Sequence, residues 1–343
     1  MDIRIATCPC SWGVWNPDGG PAYVPYETFL QQASECGYQE IELGPDGYLP
    51  MESDTLKSEL RKYRLNVCAG TATIPFYSLE KEECRAIVTP LAKRLNALGV
   101  SDMVVMDGSL FGDDKISKSD WDQEKVMRIY DKILDINQFL KEAFGIRMLF
   151  HPHASSAIEF ESEIDKMMSM GDIHLCFDTG HHVYSNGGTE KNDQTIFDFL
   201  RRYQSRIPYL HFKNADGAVL KQVRENHWSL EYAFSHGAMC NLEDGIINFE
   251  TLKDYLAEIN YQGIAVIEQD MAGKTGEYAC QSALPSKNRH DLNEVPSQQI
   301  RMQTTLSRSH KSISRFKLPS PRAICAGCGC PTRPTNDPLR SCS

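Results

Sequence analysis

At 343 residues the chain is long enough for one large domain with a full core, since α/β barrels run to about 250 residues as a single unit. Apolar residues make up 41 % and charged residues 24 %, close to the soluble globular average, which excludes a chain that is disordered throughout. The formal net charge is −10 and unevenly spread: from Lys274 onward eleven Lys and Arg face four Asp and Glu, a net +7 that leaves −17 on the body. So acidic a body repels phosphate backbones and anionic lipid, and neither nucleic acid nor a membrane is expected as a partner.

The opening Met1-Asp2-Ile3-Arg4 runs straight into a strand-like segment with no leader pattern, and no later run approaches the ~18 apolar residues of a membrane span. A cytoplasmic protein is expected. Of the twelve cysteines, Cys36, Cys68, Cys84, Cys176, Cys240 and Cys280 stand singly within apolar patterns, where a reduced thiol acts as a small hydrophobe.

In chain order, short apolar runs rich in β-branched residues occur at Ile3–Ala6, Glu40–Leu43, Asn66–Ala69, Asp102–Met106, Arg147–Phe150, Ile173–Phe177, Tyr209–Lys213 and Ile264–Glu268. Most are almost continuously hydrophobic, as parallel strands buried on both faces must be. Helical periodicity falls between them, over Tyr26–Cys36, Ser53–Tyr63, Glu80–Leu98, Asp120–Phe144, Glu161–Met170, Thr195–Tyr203 and Phe249–Asn260. Gly37, Gly99 and Gly145 act as stop signals. Eight strands alternating with helices, and no GxGxxG after the first strand, predict an α/β fold of the (β/α)8 barrel type rather than an open doubly wound sheet.

The barrel is expected to span residues 1–273. Residues 274–343 are rich in Ser, Arg, Gln and Pro without an apolar period, which predicts a mostly disordered tail, with Ser282–Leu292 a candidate for a last turn under the barrel floor. Cys325, Cys328, Cys330 and Cys342 stand in the tail at a spacing that fits no common zinc pattern.

In such barrels the C-terminal strand ends carry the chemistry. Here strand five ends in Phe150-His151-Pro152-His153, strand six in Phe177-Asp178-Thr179-Gly180-His181-His182, strand seven in Leu210-His211-Phe212-Lys213, and strand eight in Ile267-Glu268-Gln269-Asp270. Four successive strands thus bring His, Asp or Glu to one rim. Mixed imidazole and carboxylate donors suit a divalent ion, Mn2+ or Co2+ first, with Zn2+, Fe2+ and Mg2+ as further choices. Lys213 follows His211 by two, so both face inward. It is either an acid or base of lowered pKa beside the metal, or an ion-pair partner of Asp178 or Glu42. Trp12, Trp15 and His182 stand near the rim as candidate substrate contacts, the indoles as covers for the apolar face of a sugar or as loop anchors.

Cys10-Ser11-Trp12-Gly13, Glu42-Leu43-Gly44, His151-Pro152-His153, Asp178-Thr179-Gly180-His181, His211-Phe212-Lys213 and Glu268-Gln269-Asp270 together resemble the xylose-isomerase-like barrels of sugar isomerases and epimerases, and within them the inosose dehydratase-like group, over about Ile3 to Met271. The resemblance implies that Asp178, His211 and Glu268 are metal ligands, with His151 or Glu159 as the fourth. It implies roles for His153 and His181 beside the metal or on the substrate, and, with Glu42 and Lys213, as acid or base. Asn241 and Glu243 depart from the family's turn before the last helix. The expected activity is metal-dependent dehydration of a keto-polyol such as 2-keto-myo-inositol through an enediolate. An isomerase or epimerase at the same site, and a barrel that only binds a ligand, are the alternatives. The partner is then a small polyhydroxylated carbonyl compound, and assembly into a homo-oligomer is compatible with this.

Overall fold

In the computed structural model, which describes residues 2–14, 24–110, 118 and 121–270, the eight expected strands close into one parallel barrel. They are β1 (Asp2–Thr7), β2 (Glu40–Glu42), β3 (Asn66–Ile74), β4 (Asp102–Asp107), β5 (Arg147–Phe150), β6 (His174–Asp178) and β7 (Tyr209–Phe212), then, after an antiparallel pair β8 (Asn214–Ala215) and β9 (Met239–Cys240), the closing strand β10 (Gln262–Ile267). β1 completes the ring by pairing with β10 from Asp2↔Gln262 to Thr7↔Ile267 and with β2 at Ala6↔Glu40. Trp15, the Ser282–Leu292 turn and the tail cysteines lie outside the described residues.

All seven expected helices form: α1 (Tyr26–Glu35), α2 (Ser53–Tyr63), α3 (Lys81–Leu98), α4 (Gln123–Phe144), α5 (Glu161–Met170), α7 (Thr195–Tyr203) and α10 (Phe249–Glu258). Three more were not expected, namely α6 (Thr179–Asn186), α8 (Gly217–Asn226) and α9 (Leu230–Ser235). The fourth helix begins at Gln123 rather than at Asp120, because Asp122 caps it by accepting from the Glu124 and Lys125 amides. Gly99 and Gly145 end their helices with φ of 77° and 65°, a region where a side chain is strained. No described helix is long and apolar enough to cross a membrane.

Period-two alternation sorts the strand residues into two cores. Outward positions such as Met148, Phe150, Leu175, Phe177, Leu210 and Phe212 join the large cluster between barrel and helices. Each such side chain contributes about 1.5–3 kcal/mol relative to exposure. Inward positions form a second cluster of smaller side chains, including Ala6, Cys68, Val104, Leu149, Cys176, Tyr209 and Val266. Two residues further along β5, β6, β7 and β10, the inward position turns polar: His151 above Leu149, Asp178 above Cys176, His211 above Tyr209 and Glu268 above Val266. The packed interior is therefore the platform on which the rim residues stand.

Candidate metal centre at the barrel rim

Asp178 has two structural roles. It ends β6, and its Oδ1 accepts from the His181 amide at 2.9 Å, so it caps α6. This cap turns the chain so that His181 stands over the barrel mouth. Gly180 is required in that first turn, because a Cβ there would collide with the Cβ of Lys213, just after β7. The sequence reading missed α6 because eight residues with an internal Gly and two His carry no apolar stripe. The Asp178 cap was the available signal.

The ligand atoms of Asp178, His211 and Glu268 lie within 4.8 Å of one another. His211 Nδ1 is 2.6 Å from Glu268 Oε2 and 3.7 Å from Asp178 Oδ2. All three atoms are buried, and none completes a well-directed hydrogen bond. Buried polar atoms left this way are costly unless something satisfies them. Three of them, turned toward one another on two carboxylates and an imidazole, fit a divalent cation.

The electrostatics agree. Burial opposes charge on His211, yet Cys176, Glu268 and Glu42 hold its pKa well above the usual imidazole value. Burial raises the Asp178 and Glu268 carboxyls, but Lys213 and His211 overcome it and hold both below the ordinary range. Positive charge is thus stabilised at the centre of the cluster. Lys213 Nζ already supplies some of it, at 3.2 Å from both Asp178 Oδ2 and Glu268 Oε2 and 2.9 Å from Asp270 Oδ2. Of the two readings of Lys213, the ion pair with Asp178 forms. The lowered pKa does not: burial pulls the ammonium down, but Asp178, Asp270 and Glu268 hold it well above its ordinary value. Asp270, pushed up to about 7 by burial against the pull of Lys213, was not singled out, although its spacing of two from Glu268 marked it as inward.

Glu42 lies on the far side of His211 rather than beside Lys213. Its Oε1 is 3.0 Å from His211 Nε2 and accepts from the Tyr209 hydroxyl at 2.9 Å. A carboxylate on the outer nitrogen fixes the ring and its tautomer, leaving Nδ1 aimed at Asp178 and Glu268.

Three neutral histidines line the other side. Burial lowers the pKa of His151 and His181 well below the usual value and that of His153 to about 4. The His153 and His181 rings are 3.8 Å apart, and the His151 ring is 5.2 Å from that of His211. His151 Nδ1 is buried without a hydrogen bond. His181 Nε2 lies 3.1 Å from Lys213 Nζ.

Glu159, the alternative fourth ligand, is not brought to this cluster. One of its oxygens accepts from the Ser185 hydroxyl at 2.8 Å, the other is 4.0 Å from Lys118, and burial raises its carboxyl. Trp12 does not face the mouth. It is 2 % exposed, donates from Nε1 to Gln32 at 2.6 Å, and meets the Phe29 ring edge-on, so its indole anchors α1 to the barrel. His182 points outward between Phe177 and Phe199, with Nε2 3.2 Å from Glu161. It follows His181 by one helical residue, a turn of ~100° that carries it off the site face.

The excursion between β7 and β10 forms one wall of the site. Asp216 caps α8 and Ser229 caps α9, and α9 brings Phe234 to 6.0 Å from the His181 ring. At its return, the Asn214 side chain donates to the Leu242 and Ile247 carbonyls at 2.8 and 3.0 Å and fills the space a Cβ on Gly245 would need. That turn keeps its close approach despite Asn241 and Glu243.

A family model described as the xylose isomerase-like TIM barrel matches residues 30–285, which include β2 to β10 and the whole Asp178–His211–Glu268 cluster. The chain belongs to that family. Among curated relatives in sequence, the rhizopine catabolism protein MocC of Rhizobium meliloti is 30 % identical over 281 residues, covering 79 % of this chain and 82 % of that one. An inosose dehydratase of Clostridium beijerinckii is 26 % identical over 289 residues, covering 78 % and 90 %. In structure, the barrel is similar to a crystal structure of the IOLI protein with a zinc atom, with a TM-score of 0.57 and 16 % identity over 82 % of this chain and 95 % of that one. At that identity the likeness establishes the fold.

Proposed function

We propose that this xylose isomerase-like barrel is a metal-dependent carbohydrate lyase that dehydrates a keto-polyol such as 2-keto-myo-inositol through an enediolate. The observation that carries the reading is the convergence of three buried ligand atoms from Asp178, His211 and Glu268, none with a directed hydrogen bond, at the mouth of the barrel. Those residues would hold the ion, with His151, whose Nδ1 is also unsatisfied, in place of Glu159 as the fourth donor. A divalent cation bound there supplies Lewis acidity toward a carbonyl and a neighbouring hydroxyl. The inosose dehydratase name of the relatives, at 26 % identity over most of both chains, supports the substrate class.

The protein's own groups divide the proton work. His153 Nδ1 is 2.7 Å from the Ala154 carbonyl, an acceptor only, so Nδ1 carries the hydrogen and Nε2 is the basic nitrogen. With its pKa near 4 the ring is neutral at pH 7 and able to take the proton α to the ketone at Nε2. Lys213, whose Nζ lies 2.9 Å from Asp270 Oδ2, is the acid that gives a proton from Nζ to the departing hydroxyl. His181, beside both, relays or orients rather than competing for charge.

Protein supplied with Mn2+ or Co2+ and 2-keto-myo-inositol should develop the absorbance of a conjugated diketone. No absorbance change with any keto-polyol would sink the lyase reading. Solvent deuterium entering recovered ketose without dehydration would replace it with an isomerase or epimerase.

A further inference from the structure

The two oxygens of Glu268 face different neighbours. Oε2 is turned to His211 and Lys213 at 2.6 and 3.2 Å. Oε1 instead accepts from the Cys10 thiol at 2.7 Å, and Cys10 Sγ lies 2.9 Å from Cys8 Sγ. Cys8 Sγ, Cys10 Sγ and a Glu268 oxygen lie within 4.8 Å of one another, both thiols are free, and both cysteines are buried just after β1. None of this chemistry is used by the proposed dehydration.

We propose that Cys8, Cys10 and Glu268 form a second metal position, selective for a thiophilic divalent ion such as Zn2+ or Cd2+, with Glu268 shared between it and the Asp178–His211–Glu268 position. Thiolate donors select soft or borderline ions, whereas a carboxylate and imidazole set also takes a hard ion such as Mn2+, though less tightly than the later metals. Two thiolates on one tetrahedral zinc stand roughly 3.8 Å apart, given Zn–S bonds of ~2.3 Å, so the sulfurs need to separate by less than about 1 Å. Side-chain rotation supplies that. Binding displaces the two thiol protons to solvent. The converging carboxylate distinguishes the site from a simple dithiol, since a Cys8–Cys10 disulfide would make no use of it. The Pro9 between the cysteines begins a short 3-10 turn, Pro9–Trp12, and Ser11 Oγ in that turn is 3.2 Å from the Ile267 carbonyl, so the pair is held against the end of β10 and cannot swing away from Glu268.

The site shares Glu268 with the proposed function but not the other donors, so the two can be tested apart. The full chain is prepared with Cys280, Cys325, Cys328, Cys330 and Cys342 replaced by Ser, to silence the tail thiols, and titrated under reducing, oxygen-free conditions with Cd2+ or Co2+. The expected result is a thiolate-to-metal charge-transfer band that disappears in Cys8→Ser/Cys10→Ser and persists in Asp178→Asn. Mn2+ uptake, read by its magnetic resonance signal, should show the reverse dependence. X-ray absorption of the cadmium-loaded chain without barrel substitutions should show sulfur in the first coordination shell, which covers the case in which the double variant fails to fold. No charge-transfer band, a band indifferent to Cys8 and Cys10, or a first shell of nitrogen and oxygen only would overturn the proposal. A normal Mn2+ signal in that event would leave the first position standing, and loss of Mn2+ binding with the thiolate band intact would do the opposite.

Discussion

The interior of the barrel contains two regions built by the same strands and opposite in character. The lower layer, with Ala6, Cys68, Val104, Leu149, Cys176, Tyr209 and Val266, is largely apolar and buried. One inward step higher, Glu42, His151, Asp178, His211 and Glu268 are as deeply buried or nearly so, yet are polar or charged. Burial alone therefore does not define the core of this protein. The lower layer contributes stability, whereas the upper layer gathers charges at a cost in desolvation that the lower layer and the outer helices must offset.

Substitutions that separate the two layers should differ in what they damage. The largest effect is expected at the rim: Asp178→Asn or His211→Gln should remove bound metal and activity beyond the ~10–100-fold loss typical of outer partners, with circular dichroism unchanged. Chelation of wild type should reproduce that loss, and added metal should reverse it. Below the rim, Leu149→Ala should cost about 2–5 kcal/mol of unfolding free energy, read by denaturant titration, while metal content per folded chain stays at the wild-type level. A Leu149→Ala chain that stays stable but loses its metal would show that the layers are not separable.

Glu42→Gln lies between these extremes. It keeps the shape and a hydrogen bond to His211 but removes the charge behind the ring, so metal affinity should fall ~10–100-fold with little change in unfolding free energy. Tyr209→Phe is the mildest probe. It deletes the hydroxyl that donates to Glu42 at 2.9 Å, and should cost ~1 kcal/mol, shared between stability and metal affinity. An effect on metal affinity larger than that of Glu42→Gln would mean that Tyr209 belongs to the site rather than to the packing beneath it.

Period-two alternation made the layering legible before any coordinates. His211 and Lys213 were expected on one face and are there, and the same rule applied to Glu268 and Asp270 would have supplied the third carboxylate on Lys213. Cys10 was visible only as part of a motif. Its contact with Glu268 joins residues 258 positions apart, and no local pattern encodes that. Trp12 and His182 were placed at the rim by nearness in sequence, but one is turned into the packing under α1 and the other into the ring stack of Phe177 and Phe199.

The sequence by itself determined that eight strands alternate with helices, where most helices stop, and which strand residues point inward, because these depend on local periodicity and capping. The tertiary structure decided which inward residues meet. Glu42 reaches His211 from the other side of the barrel, Glu159 is drawn off to Ser185 and Lys118, and the excursion from β8 to β9 forms a wall of the mouth. Those outcomes depend on ring closure and on the relative register of strands far apart in the chain, and so the candidate metal donors could be named from the strands while their neighbours could not.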